Sequence, residues 1–350
     1  VQIPQVIWVS WLSLLYSFGV ILVSFGGSGE LRGPEIFRFF YKLSFLAGFI
    51  GITYWVLARF GSQLILTSLK VCAVIGGILS LVLHSGQNFP GLEGRLNPFG
   101  LLCHPILGGS VYGMVGLICF YQAFLKKTSR QLLLNLGIFG LCSCVVFFTM
   151  SRGPLLSYGV SLGGVIGYHL LIHPQKVPRQ MRFIFCGLMG LAVGLTVFMS
   201  YFADDFILIS LWQKRESYRL YIWLEAWRYI QAVLPWGAGY KNELTIVLTE
   251  KAHVNHLHNL FLSKLYREGV VGIVFLITIL SLSIQKMSKI WRTNLGGLAS
   301  ILFIHGVFSC VTDTSSFWDG KNFEMFLFFW FPLIFVASIR DDAHVNQSHR

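Results

Sequence analysis

Residues 126–154 read KKTSRQLLLNLGIFGLCSCVVFFTMSRGP, and this stretch decides the fold class. Lys126, Lys127 and Arg130 precede a run, 131–150, without a single charged side chain. Its length matches the roughly 20 residues that an α-helix needs to cross a bilayer. A tight turn, Ser151-Arg152-Gly153-Pro154, follows and leads straight into another apolar run. The rest of the chain is built the same way. Of its 350 residues 55% are hydrophobic and only 12% are charged, with a mean hydropathy of +0.66. That charged share is about half of the ordinary globular one and cannot solvate a soluble surface of this size. The chain is therefore read as an all-α polytopic membrane protein, a single integral membrane domain over residues 1–350.

Runs of spanning length fall at 6–27, 37–58, 63–84, 101–125, 131–150, 154–173, 183–202, 260–285, 295–312 and 323–339, which predicts about ten transmembrane helices. The first run lacks a basic leading region and a small-residue cleavage site, so no signal peptide is expected. The chain begins at Val1, not Met, which leaves open whether N-terminal spans precede it. Loop charge sets the sidedness. Segments 126–130, 173–182 and 285–294 each carry three Lys or Arg and no acid. Positive charge in every second loop places those loops, and both chain ends, in the cytoplasm. The formal charge of +12 thereby finds its main use in topology. Nucleic acid is not an expected partner, because the basic loops are short and separated by spans.

One large non-spanning segment, 203–258, falls on the opposite side. Within it, residues 217–234 have helical periodicity. Leu220, Trp223, Leu224, Trp227, Ile230, Gln231 and Leu234 share a face, Ser217 is a suitable N-cap, and Pro235, Gly237 and Gly239 end the run. Two Trp on an apolar stripe with flanking charge suit a helix lying in the membrane interface. The seven cysteines lie in or beside spans without a Cys-x-x-Cys pair and read as small apolar residues.

Polar groups on that same side need an explanation, since an Arg at membrane depth costs on the order of 2.5–3.5 kcal/mol. Arg152 has two readings: a side chain snorkelling from a helix start, or a fixed cation beside a helix N-terminus, where a phosphate binds well. Arg95, in Gly94-Arg95-Leu96-Asn97-Pro98, is either an exposed loop residue or a second such cation. Arg219 edges the apolar stripe and fits a lipid headgroup or a substrate equally well. The segment from His253 through His256 and His258 to Asn259 holds three of the ten histidines. Its spacing matches no zinc motif, and no metal or other cofactor is expected. A neutral imidazole can instead take a proton from a hydroxyl near neutral pH. His258 opens the next span, which fixes its backbone, so it is preferred over His256. Asp313, after the ninth span, is open to orienting a histidine, pairing with an arginine or simply being solvated.

Together these features resemble the bacterial O-antigen ligase family, which is related to the O-antigen polymerases. The likeness rests on His258-Asn259, nine residues, then Gly269-Val-Val-Gly272 with Glu268 ahead of it; on Ser151-Arg152-Gly153 opening an apolar helix; and on Arg219 before Tyr221-Ile222-Trp223 with Pro235-Trp-Gly-Ala-Gly239 downstream. Arg95-Leu96, His104-Pro105-Ile106 and Asp313 extend it over roughly residues 90 to 335. The resemblance implies an architecture like that of C-type glycosyltransferases in the bacterial inner membrane, acting on its periplasmic face. It implies glycan transfer from an undecaprenyl diphosphate carrier to lipid A–core, without a metal. His258 would be the catalytic base, and Arg152, Arg219 and Arg95 would hold the diphosphate. His256, Asn259 and Asp313 are secondary candidates. A polymerase or a protein O-glycan ligase would share the donor. A transporter fits less well, because there are no repeated halves and the reactive residues gather on one face.

Overall fold

The computed structural model describes residues 3–26, 33–85, 95–102, 104–125, 128–172, 219–241, 244–249, 252–313 and 324–340. In chain order they form α1 (Gln5–Gly26), α2 (Gly33–Phe60), α3 (Gln63–Ser85), a short turn at Gly100–Leu102, α4 (Pro105–Leu125), α5 (Ser129–Phe148) and α6 (Arg152–Ile172). Then come α7 (Arg219–Val233), strands β1 (Ile246–Thr249) and β2 (Ala252–Val254), α8 (Leu260–Ile290), α9 (Asn294–Asp313), a π-turn at Phe326–Trp330 and α10 (Phe331–Ser338). Seven of these helices, α1 to α5 with α8 and α9, are long and apolar enough to cross a membrane. The expected 154–173 run forms a helix, α6, but α6 is not among the seven apolar enough to be a candidate span. The last expected span is shorter than anticipated, Phe326–Ser338. The expected span at 183–202 lies outside the described residues.

The chain folds as two compact units, one of Leu66–Ser217 and the other of Val1–Ile65 with Tyr218–Arg350. In the first, α4 is buried continuously from Gly108 to Phe124 and packs against α5 and α6. Lys70 on α3 donates to Gln122 Oε1 on α4 and to Asn135 Oδ1 on α5, the latter at 2.8 Å. Two side-chain amides thus satisfy a cation that lies inside an apolar helix, as burial at this depth demands.

In the second unit, α8 packs against α1, α9 and α10. Sequence periodicity reads 260–285 as one span, but the helix is broken at Gly269, whose φ of 65° and ψ of −156° are non-helical. Residues 270–290 beyond the break measure about 31 Å at helical rise, close to the bilayer core. The arm 260–268 is a separate piece. In an unbroken helix the Val270 N–H would bond to the Tyr266 carbonyl. Here it donates to Pro235 O at 2.8 Å, while Tyr266 O and Arg267 O accept from the N–H groups of Ala238 at 2.7 Å and Gly239 at 3.0 Å. The turn 235–239 therefore replaces the hydrogen bonds that the break removes.

That exchange needs backbones in contact, and glycine provides it. A Cβ on Gly269 would lie 2.1 Å from Pro235 O, and one on Gly237 would lie 2.5 Å from Gly269 N. Both residues have positive φ, 65° and 86°. Gly269→Ala is expected to destabilise the detergent-solubilised protein by at least about 2 kcal/mol through strain and overlap. Gly163→Ala on α6, where a Cβ meets nothing within 4 Å, is expected to be neutral or slightly stabilising. Thermal unfolding of the two variants beside the parent checks both; equal melting temperatures for all three would contradict the docking.

Candidate functional site

The segment carrying His258 is built on a small core outside the long helices. Ile222, Ala226 and Ile230 of α7 pack with Leu244, Ile246, Leu257 and Tyr266. The strands β1 and β2 form an antiparallel hairpin in which Ile246 pairs with Val254, turning Ile246 inward and Val247 outward. The sequence reading did not anticipate this hairpin. It changes which side of α7 is covered: Trp223 and Ile230 turn into the core, while Leu220, Leu224 and Trp227 stay exposed.

His258 is held from both sides. Leu257, 3% exposed, is a plug in the core. Asn259 caps α8, its Oδ1 accepting from the N–H groups of Phe261 at 2.9 Å and Leu262 at 3.1 Å. Between them His258 adopts φ 48°, a left-handed conformation that non-glycine residues rarely hold. Trp223 Nε1 donates to Leu257 O at 3.0 Å and ties the loop to α7. Arg219 opens α7 four residues before Trp223, on neighbouring positions of the helix surface. The His256 ring lies 4.0 Å from the His258 ring, and His256 is exposed where His258 is half-buried. Asp313 closes α9.

The arm between His258 and the break carries a pair that sequence reading missed. Lys264 Nζ and Glu268 Oε1 are 2.6 Å apart, with side chains 3% and 0% exposed. Ser17 of α1 donates to Glu268 Oε1 at 2.9 Å, and Lys264 Nζ lies 3.1 Å from Ser17 Oγ. The Tyr240 hydroxyl also donates to Glu268 Oε1, and the Tyr16 hydroxyl to the Glu268 carbonyl at 3.0 Å. One carboxylate thus joins α1, the arm and the segment after the 235–239 turn. The signal was present as an opposite-charge pair at i and i+4 inside an apolar run.

In the unit of residues 66–217, the turn between α5 and α6 gathers two arginines. Arg95 Nε donates to Thr149 O at 3.1 Å and its Nη2 to Ser151 Oγ at 2.6 Å, while Leu96 N–H donates to Phe148 O at 3.0 Å. A guanidinium at a helix C-terminus meets the negative end of the helix dipole. Arg95 therefore closes α5, a structural task its loop position did not reveal. Arg152, half-buried, opens α6 beside the buried Gly153 and Pro154. His104 Nδ1 accepts from Leu107 N–H at 3.3 Å and caps α4.

Removing one member of the buried Lys264–Glu268 pair leaves the other charge uncompensated, at a cost of about 3–5 kcal/mol. Glu268→Ala should destabilise by that amount, whereas Lys264→Met combined with Glu268→Leu should recover part of the loss. Equilibrium unfolding of the single and double variants measures this; a double variant as weak as the sum of the singles would contradict the pairing.

A family model described as O-antigen ligase matches residues 131–277. The match takes in Arg152, Arg219, His256, His258, Asn259, Lys264 and Glu268, and leaves Arg95 and Asp313 outside. An O-antigen ligase of Pseudomonas aeruginosa is 25% identical over 259 residues, which is 73% of this chain and 60% of that protein. The chain thus spans less than two thirds of the curated relative's length.

Proposed function

From the match of residues 131–277 to the O-antigen ligase model, we propose that this chain belongs to that family and transfers a glycan from undecaprenyl diphosphate to a sugar hydroxyl of lipid A–core. The reaction is assigned to the periplasmic face of the bacterial inner membrane, with both ends of the chain cytoplasmic, a sidedness that the loop charges support. The seat of His258 carries the reading. A half-buried imidazole is locked between a core residue and a helix cap, on a loop tied to the helix that begins with Arg219. Such fixed placement is what a general base needs, since a base works only within hydrogen-bond reach of the proton it takes.

His258 accepts the proton of the acceptor hydroxyl as its oxygen attacks the anomeric carbon. The bond to the diphosphate breaks on the opposite side, giving inversion, and the lipid diphosphate leaves with the electron pair. Guanidinium groups pair with phosphate oxygens in a bidentate way and stabilise the charge that develops there. That role is assigned to Arg219, Arg152 and Arg95, which makes a metal ion unnecessary. Asn259 acts on His258 through the backbone, as its cap.

Reconstituted transfer tests the assignment. His258→Ala is expected to lose at least about 100-fold in rate while keeping its fold. Arg219→Lys is expected to lose about 10-fold or more, because an ammonium keeps the charge but not the fork. EDTA should leave the parent rate unchanged. Near-normal transfer by the His258 variant would remove it from the reaction. Transfer to a second carrier-linked glycan in place of lipid A–core would make the enzyme a polymerase.

A further inference from the structure

Three helices of the unit that carries His258 have ends that meet at the edge opposite to the arm 260–268. The break at Gly269 marks one end of the spanning piece of α8, and Ile290 marks the other. From there the chain turns into α9, and α10 packs against both α9 and α2. The ends of these helices enclose a groove of about 430 Å³, lined by Leu57, Ser62, Thr293, Leu295, Phe335 and Arg340 among others. Leu57 and Phe335 are buried and Arg340 is exposed, so the groove grades from an apolar depth to a cationic rim. Among the described residues no carboxylate lines it.

Its polar wall consists of donors. Ser62 is 7% exposed, and no described residue hydrogen-bonds its hydroxyl. A hydroxyl so buried is nearly always paired, so its partner comes from whatever fills the groove. At the start of α9, Thr293 Oγ1 accepts from Gly296 N–H at 2.9 Å and Thr293 O from Gly297 N–H at 2.8 Å. The Leu295 N–H, in the first turn of this 20-residue helix, is left for an outside acceptor, at the positive end of the helix dipole. Arg340 follows α10 and Arg59 lies in the last turn of α2, and neither pairs with a carboxylate among the described residues. Lys286, Lys289 and Arg292 add to the same edge, against Asp341 and Asp342, which follow Arg340 in the chain outside the described residues. A hydroxyl, a helix N-terminus and a guanidinium around one cavity are the donors that a phosphate takes. The cavity lies where spans end and its depth is apolar, so the phosphate is one carried by a lipid.

We propose that this groove binds the phosphodiester headgroup of an anionic phospholipid. Phosphate oxygens accept from Arg340, the Ser62 hydroxyl and the Leu295 N–H, and the first methylenes of the lipid lie against Leu57 and Phe335. An anionic lipid is favoured over a zwitterionic one because Arg59, Lys286, Lys289, Arg292 and Arg340 outnumber the two acids. The site lies across the span from the His258 arm and does not depend on the glycan-transfer reading.

Native mass spectrometry of the full chain tests it, with the protein released from detergent that contains equimolar phosphatidylglycerol and phosphatidylethanolamine. The parent is expected to retain one phosphatidylglycerol in preference to phosphatidylethanolamine by at least about five-fold. Arg340→Ala should lower that preference by about five-fold, the effect of one cation at an anionic headgroup. Arg228→Ala, which removes an exposed cation from α7, should leave it unchanged. Ser62→Ala keeps every charge and should weaken phosphatidylglycerol retention by about two-fold or more. Melting temperatures equal to the parent's in lipid-free detergent show that the variants keep their fold. Equal retention of the two lipids by the parent, or equal effects of Arg340→Ala and Arg228→Ala, overturns the proposal. So does displacement of the retained lipid by glycerophosphoglycerol at a comparable concentration, which would make the groove a site for a soluble phosphate.

Discussion

One backbone exchange underlies the unit that carries His258. A transmembrane helix cannot simply break at the edge of a bilayer, because freed N–H and C=O groups cost several kcal/mol where water is excluded. Here the break at Gly269 is tolerated because the 235–239 turn supplies partners for Tyr266 O, Arg267 O and Val270 N–H. The same turn anchors α7, and the same break frees the arm 260–268 from the axis of the span. Everything that fixes His258 in place is attached to one of these two pieces.

The buried pair Lys264–Glu268 adds specificity to that arrangement. It is costly by itself, since both charges lose their hydration. Glu268 Oε1 has partners in three places, Ser17 on α1, Tyr240 after the turn and Lys264 on the arm, and Tyr16 of α1 donates to the Glu268 backbone carbonyl. Among the described residues Oε2 has no hydrogen-bond partner, and the bonds to Oε1 form together only when all three segments are in register. The pair therefore selects one placement of the arm, and with it one placement of the residues at its N-terminal end.

The sequence carried more of the fold than of the site. Long charge-free runs such as 131–150 gave their helices directly, because the required length is set by the bilayer. That His258 stands at the start of a span was legible from the apolar run after it, whereas the capping by Asn259 was not read. Other features escaped for identifiable reasons. Periodicity cannot show a break inside an apolar run, so 260–285 read as one helix although Gly269 interrupts it. The stripe on α7 was drawn through Trp223 and Ile230, because the hairpin that covers them has no strong signal in residues 246–254. Arg95 read as a loop cation, and its further task of closing α5 through Thr149 and Ser151 was not visible. Its partners lie more than fifty residues away in the chain, beyond the reach of local pattern.

In the proposed reaction the His258 imidazole accepts the hydroxyl proton. Chemical rescue measures that most directly. Imidazole added to a folded His258→Gly protein, in the reconstituted transfer reaction, should restore a saturable part of the lost rate. The same additions should leave an Arg219→Ala protein unrescued. Failure of imidazole to raise the rate of the glycine variant, with its fold intact, would contradict the assignment.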